Sequence, residues 1–145
     1  MANAISFYKS PTLETQALPE INALLTNQEL YSTLDATGKP ILIHFWSTWC
    51  PTCKLEAGNI QSLSENYNVL TIAVKSKEEE INKYLKERDL NFKVINDEHG
   101  TLAEQFLVPA YPTTFIYDKN GNLTFTEVGY TSTWGLYLRM WWASR

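Results

Sequence analysis

The only two cysteines of the chain stand three residues apart in Trp49-Cys50-Pro51-Thr52-Cys53, directly behind the apolar run Ile41-Leu42-Ile43-His44-Phe45-Trp46. Such an uninterrupted run reads as a strand buried on both faces, which places the cysteine pair at a strand-to-helix junction. Proline is suited to the first turn of a helix, where its missing N–H costs nothing. With Cys50 as the cap, Cys53 then falls almost one turn later on nearly the same side. The sulfurs can meet without backbone movement. Cys50, facing the unpaired N–H groups and positive dipole end of the helix, is expected to be the more acidic thiol and the nucleophile. Cys53, one turn inside, is expected to be shielded and to resolve a mixed disulfide.

Two cysteines cannot form a stapling framework of the kind used by small secreted domains, and a pair this close closes too small a loop to stabilise much. Their use is therefore chemical. With 145 residues, 44% of them hydrophobic, the chain suffices for one ordinary core but not two. The net charge of −4 and the lack of a Lys/Arg-rich run argue against nucleic acid as a partner. No stretch approaches the roughly 18 apolar residues of a membrane span, and Met1 to Glu20 lacks a signal-peptide core. The start Met1-Ala2-Asn3-Ala4 is also compatible with a removed leader or anchor, so the compartment stays open on composition.

Residues 1–38 read as an N-terminal extension with two short strands expected between Ile5 and Thr37, packing on the same domain as residues 39–145. After the first buried strand, a helix is expected over Pro51 to Tyr67, with Cys53, Ala57, Ile60, Ser64 and Tyr67 on one face. Val69 to Val74 is a second buried strand. Ser76 with Glu79 suggests a capping box for a helix to about Arg88 with Ile81, Tyr84 and Leu85 inward. Phe92 to Ile95 is a short strand, and Thr101 with Glu104 a second capping box for a helix buried through Leu102, Phe106 and Leu107 and stopped by Val108-Pro109. Thr113–Tyr117 and Leu123–Val128 flank Asn120-Gly121, a strong hairpin signal. A last helix from Ser132 or Thr133 is expected to face the sheet with Trp134, Leu138 and Trp141, leaving Trp142 exposed. A membrane-surface or partner role for Trp134, Arg139, Trp141, Trp142 and Arg145 is the weaker alternative. This order of elements predicts an α/β fold with a central mixed sheet flanked by helices.

The dithiol after a buried strand, Tyr111-Pro112-Thr113 before the hairpin and Gly129 after it fall in the order and spacing of the thioredoxin superfamily, which the chain resembles from Lys39 to Arg145. Phe92 to Leu107, with Asn96-Asp97-Glu98-His99-Gly100-Thr101-Leu102-Ala103, looks like the central insertion of the TlpA/ResA/CcmG-like branch. The segment Gly129 to Leu136 and Trp141-Trp142-Ala143 look most like ScsD-type suppressor-of-copper-sensitivity proteins. The resemblance implies a thioredoxin-like fold, a periplasmic location with an inner-membrane anchor and a cis Tyr111-Pro112 bond beside the dithiol. It also implies recharging by a membrane electron donor of the DsbD/ScsB type.

Around the catalytic pair Cys50 and Cys53, Pro51 and Thr52 are expected to tune the thiolate against the disulfide. Trp49, Tyr111, Pro112 and Thr113 are the expected substrate surface, where an extended partner could pair with the Tyr111 backbone. Glu56, one turn beyond Cys53, occupies the place of an acid in ResA-like and CcmG-like proteins and could exchange the proton of the buried thiol. A solvated helix acid is an equally good reading. His44, six residues before Cys50, stands where ordinary thioredoxins keep a buried acid. It could shuttle a proton or, charged, favour thiolate, but a hydrogen-bonded core histidine is the stronger reading. His99 is expected to be solvated, and Trp46 to lie in the core.

The expected activity is protein thiol-disulfide exchange by a monomer, in the reducing direction, on disulfide-containing proteins. The dithiol is the redox centre, so no flavin, haem or permanent metal is required. Zinc would need four ligands, and no further cysteine exists. Two alternatives stand beside it: an oxidant that inserts disulfides, and a non-enzymatic Cu(I) carrier using both sulfurs.

Overall fold

Ile41–Trp46, buried at all six positions, is the central strand β3 of a five-stranded sheet. The computed structural model describes residues 16–145. Before β3 come β1 (Asn22–Leu24), β2 (Leu30–Ser32) and a 3-10 turn, Thr33–Ala36. After it follow α1 (Pro51–Ser64), β4 (Asn68–Val74), α2 (Glu78–Glu87), β5 (Lys93–Asp97), α3 (Thr101–Gln105), β6 (Thr113–Tyr117), β7 (Leu123–Val128) and α4 (Thr133–Ala143).

The strand order is β5-β4-β3-β6-β7, with β3, β4 and β5 parallel and β6 antiparallel to both of its neighbours. Parallel pairing requires crossover connections, and α1 and α2 supply them, as the alternating apolar runs and helical periods predict. The Asn-Gly turn joins β6 to β7 as expected, with Gly121 at φ 81°.

Because side chains alternate across a strand, the sheet carries two apolar layers. Leu42, Trp46, Ala73 and Ile116 face α1, α2 and α4 through Ile60, Leu63, Ile81, Leu136 and Met140. Ile43, Phe45, Ile72 and Phe115 face Phe106 beyond α3, together with Ile21, Leu25 and Ala36 of the N-terminal segment. β1 and β2 thus cover part of the second face; the expected strand content before residue 16 lies outside the described residues.

Five local expectations change. Helix α1 ends at Ser64, and Tyr67 lies in the connection to β4 with its ring against Tyr137 at 6.0 Å. Ser76 does not cap α2: its buried hydroxyl accepts from Thr48 N–H at 3.1 Å and donates to the Val74 carbonyl. The cap moves one residue on, where the Glu80 carboxylate accepts from Lys77 N–H at 3.1 Å.

Thr101 likewise does not cap α3. Asp97, at the end of β5, accepts from Leu102 and Ala103 N–H at 3.1 and 2.9 Å, and Gly100 makes the intervening turn at φ 75°. Leu107 adopts φ 54° as the chain leaves α3, which turns its side chain outward to 50% exposure.

The last helix is rotated from its expected setting. Leu136, Met140 and Ala143 are buried, whereas Trp134, Leu138 and Trp141 are 73%, 50% and 52% exposed. Both sets recur at helical spacing, and it is the set with the smaller side chains that packs inward, on the helix side that meets α1.

Candidate active site

Cys50 caps α1 and Pro51 is its first residue, so the sulfur lies at the open N-terminal end of the helix. The Cys50 Sγ accepts the Cys53 N–H at 3.1 Å and lies 3.5 Å from the Tyr111 carbonyl oxygen. Cys50 keeps 5% of its surface open, Cys53 1%. Burial pushes the Cys53 thiol well above its ordinary range; the hydrogen bond and charge of Cys50 and the charge of Glu56 add to this, against a lowering contribution from the Ser47 backbone. The pair is therefore asymmetric, with Cys50 at the helix end nearly covered and Cys53 enclosed one turn further in.

The Tyr111–Pro112 peptide bond is cis. Trp49, 55% exposed, donates its indole N–H to the Lys75 carbonyl at 3.2 Å and meets Tyr111 edge-on at 5.8 Å. Those two rings border the dithiol mouth. Thr113 is fully buried and bonds the Ala110 carbonyl at 2.6 Å, holding the loop before β6 in place. Pro51 is exposed and Thr52 half-buried between the thiols.

Glu56 is wholly buried, not a solvated helix acid. Its Oε2 accepts the Thr131 N–H at 3.3 Å, and Oε1 has no hydrogen-bond partner among the described residues. Burial raises its pKa to about 7, against the lowering effect of the Thr131 N–H and with a further raising effect from the Glu127 charge. A carboxyl in that range exchanges protons near neutrality.

His44 lies under the site, 2% exposed, with Nδ1 2.9 Å from Thr114 Oγ1 on β6. Desolvation pulls its pKa down to about 3, so the ring is neutral at physiological pH. That removes the charged imidazole as a thiolate-stabilising group and leaves the core histidine partnered to Thr114. His99 is exposed in the turn before α3, and Trp46 is in the core against Tyr84 at 4.8 Å. Among the described residues no cluster of three or more His, Cys, Asp or Glu side chains could hold a metal ion.

Three contributors escaped the sequence reading. Ser47, Thr131 and Glu127 act on Cys53 or Glu56 through a backbone group or through space. No local spacing marks such residues, since Thr131 and Glu56 are 75 positions apart.

The model of the AhpC/TSA family matches residues 15–126, which takes in the dithiol, the Tyr111 loop and the sheet. The chain belongs to the AhpC/TSA family. A relative from Haemophilus influenzae, a thioredoxin-like protein, is 37% identical over 107 residues, covering 72% of this chain and 64% of its own. The thiol:disulfide interchange protein DsbE of the same organism is 29% identical over 111 residues, covering 75% of this chain and 61% of its own. The chain thus spans less than two thirds of either relative. A crystal structure of a thioredoxin-family thiol:disulfide interchange protein from Chlorobium tepidum superposes with a TM-score of 0.78 at 20% identity, covering 91% of this chain and 98% of that one. Family and neighbour agree with the thioredoxin-like architecture, a mixed sheet with helices on both faces.

Proposed function

We propose that the chain is a protein thiol-disulfide oxidoreductase that reduces disulfides in partner proteins. One observation carries the reading: Cys50 Sγ sits at the mouth of α1, within 3.5 Å of the Tyr111 carbonyl, with Cys53 buried directly behind it. In the first exchange the Cys50 thiolate attacks one sulfur of a partner disulfide. A Cys50–partner bond forms and the other partner sulfur leaves as thiolate. Cys53 then loses its proton to Glu56 and attacks Cys50. The Cys50–Cys53 disulfide forms and the second partner sulfur leaves, so the partner gains the two electrons that the dithiol gives up.

An extended partner segment would lie between Trp49 and Tyr111, using the Tyr111 backbone as a strand edge. The reducing direction draws support from the elements after the dithiol, which among the described residues include no large inserted helical unit of the kind expected of a disulfide-inserting oxidant. The dithiol needs no further cofactor. A periplasmic setting with an inner-membrane tether, monomeric action and recharging by a DsbD/ScsB-type donor belong to the same proposal. So does closeness to ScsD-type proteins, resting on the Gly129 to Leu136 and Trp141-Trp142-Ala143 segments. Among the described residues no helix is long and apolar enough to cross a membrane.

Trapping tests the scheme. Cys53→Ser is expected to accumulate mixed disulfides on Cys50 with partner proteins, and the parent chain to reduce insulin catalytically. A folded, reduced Cys53→Ser protein that captures nothing, with a parent chain that leaves insulin intact, would refute it. A dithiol potential at the oxidising end of the range for such folds, near −120 mV, would reverse the direction.

A further inference from the structure

Glu56 is held from across the molecule. The loop between β7 and α4 presents the Thr131 N–H to its Oε2, and the strand and helix that flank the loop are bridged by one ion pair. On α4, Arg139 donates from Nε to Glu127 Oε2 of β7 at 2.7 Å and from Nη1 to the Gly135 carbonyl at 2.8 Å. Both side chains of the pair are largely covered, at 31% and 27% exposure. Glycine is a poor helix former, and its place inside α4 has a local cause. A Cβ at Gly135 would stand 2.9 Å from Arg139 Nη1, 3.2 Å from Ser132 Oγ and 3.4 Å from Thr131 Cγ2, so glycine here leaves room for the guanidinium and for the turn that caps α4.

We propose that Arg139, held between Glu127 and the Gly135 carbonyl, is a positioning residue for proton exchange at Glu56, acting by masking the Glu127 charge. The proposal rests on the reading of Glu56 as the acceptor of the Cys53 proton. Besides burial, the groups acting on Glu56 are the Thr131 N–H from the loop and the Glu127 charge from β7, and Glu56 in turn acts on Cys53 of its own helix. Glu127 opposes ionisation of Glu56, and the cation lying on Glu127 offsets that effect. In the step concerned, the Cys53 proton passes to Glu56, the Cys53 thiolate bonds to Cys50 Sγ and the leaving thiolate departs.

The probe is thionitrobenzoate loaded on Cys50 as a mixed disulfide, whose release by Cys53 is followed against pH. A parallel 13C NMR titration of the Glu56 carboxyl reads the same group without reference to catalysis. Arg139→Gln is expected to raise both midpoints, and Glu127→Gln to lower them, each by on the order of half a pH unit. The double variant removes a neutral pair and is expected to return near the parent midpoint. A merely structural clamp would move all these variants the same way by loosening Thr131. That pattern, or unmoved NMR midpoints in variants that melt cooperatively, overturns the proposal. NMR midpoints that shift as expected while release midpoints stay fixed would remove Glu56 from the resolving step, and the positioning role with it, while leaving the field of the pair on Glu56 intact.

Discussion

The Cys53 amide points at the Cys50 sulfur, 3.1 Å away, so the backbone that buries the second thiol also supplies a donor to the first. A helix N-terminus with a sulfur as its cap gives the two cysteines different chemistry from one turn of chain.

Alkylation reads that difference. Brief treatment of the reduced protein with iodoacetamide at neutral pH is expected to modify Cys50 at least about tenfold faster than Cys53, because only thiolate reacts and burial keeps Cys53 protonated. Peptide mass mapping decides it. Equal labelling of a folded sample would contradict the arrangement.

Glu56 ties the site to stability. Its carboxyl holds a proton more tightly in the folded chain, at about 7 against 4.5, so its stabilising contribution is complete below 4.5 and is lost as pH rises to about 7. The loss is on the order of 3 kcal/mol. Urea unfolding at pH 5 and pH 8 should show Glu56→Gln gaining on the parent chain at the higher pH. The same variant should slow release from Cys50 by about a hundredfold. A constant stability difference across that range would remove the raised carboxyl.

Neutral His44 has an equally direct signature. Its folded pKa of about 3 lies below the ordinary 6.5, so its ring signals should not move between pH 5 and 8. The sign on stability is opposite to that of Glu56: the contribution is present above 6.5 and falls away as pH drops toward 3. A ring titrating near neutrality in the NMR spectrum of the native protein would restore it as a proton carrier.

The setting of α4 can be tested by paired truncations. Leu136→Ala removes a fully buried side chain and should cost about 2–5 kcal/mol. Trp134→Ala, at 73% exposure, should stay within about 1 kcal/mol despite the larger deletion. Chemical denaturation of the two variants ranks them, and the reverse ranking would put the tryptophan face inward.

Much of the fold follows from patterns a few residues long. The apolar runs Ile41–Trp46 and Val69–Val74 read as buried strands from their length and lack of interruption, and the Asn-Gly pair between two alternating runs reads as a hairpin turn. The capping residues were less legible. Ser76 and Thr101 have cap-like spacings, yet the hydroxyl of Ser76 is taken by Thr48, and α3 is capped by Asp97. Periodicity also failed to choose a face for α4, because Trp134-Leu138-Trp141 and Leu136-Met140-Ala143 both satisfy it and only the space against α1 distinguishes them.

Sequence alone determined the two-thiol chemistry, since spacing, proline and a helix start act within a single turn. Only tertiary structure decided what surrounds the thiols, because desolvation and through-space charge depend on residues far apart in the chain. Whether Glu56 is a surface acid or a buried one was settled by the Thr131 loop, and the state of His44 by its burial beside Thr114. A carboxylate and an imidazole carry no record of their dielectric surroundings in their neighbours along the backbone; folding supplies it.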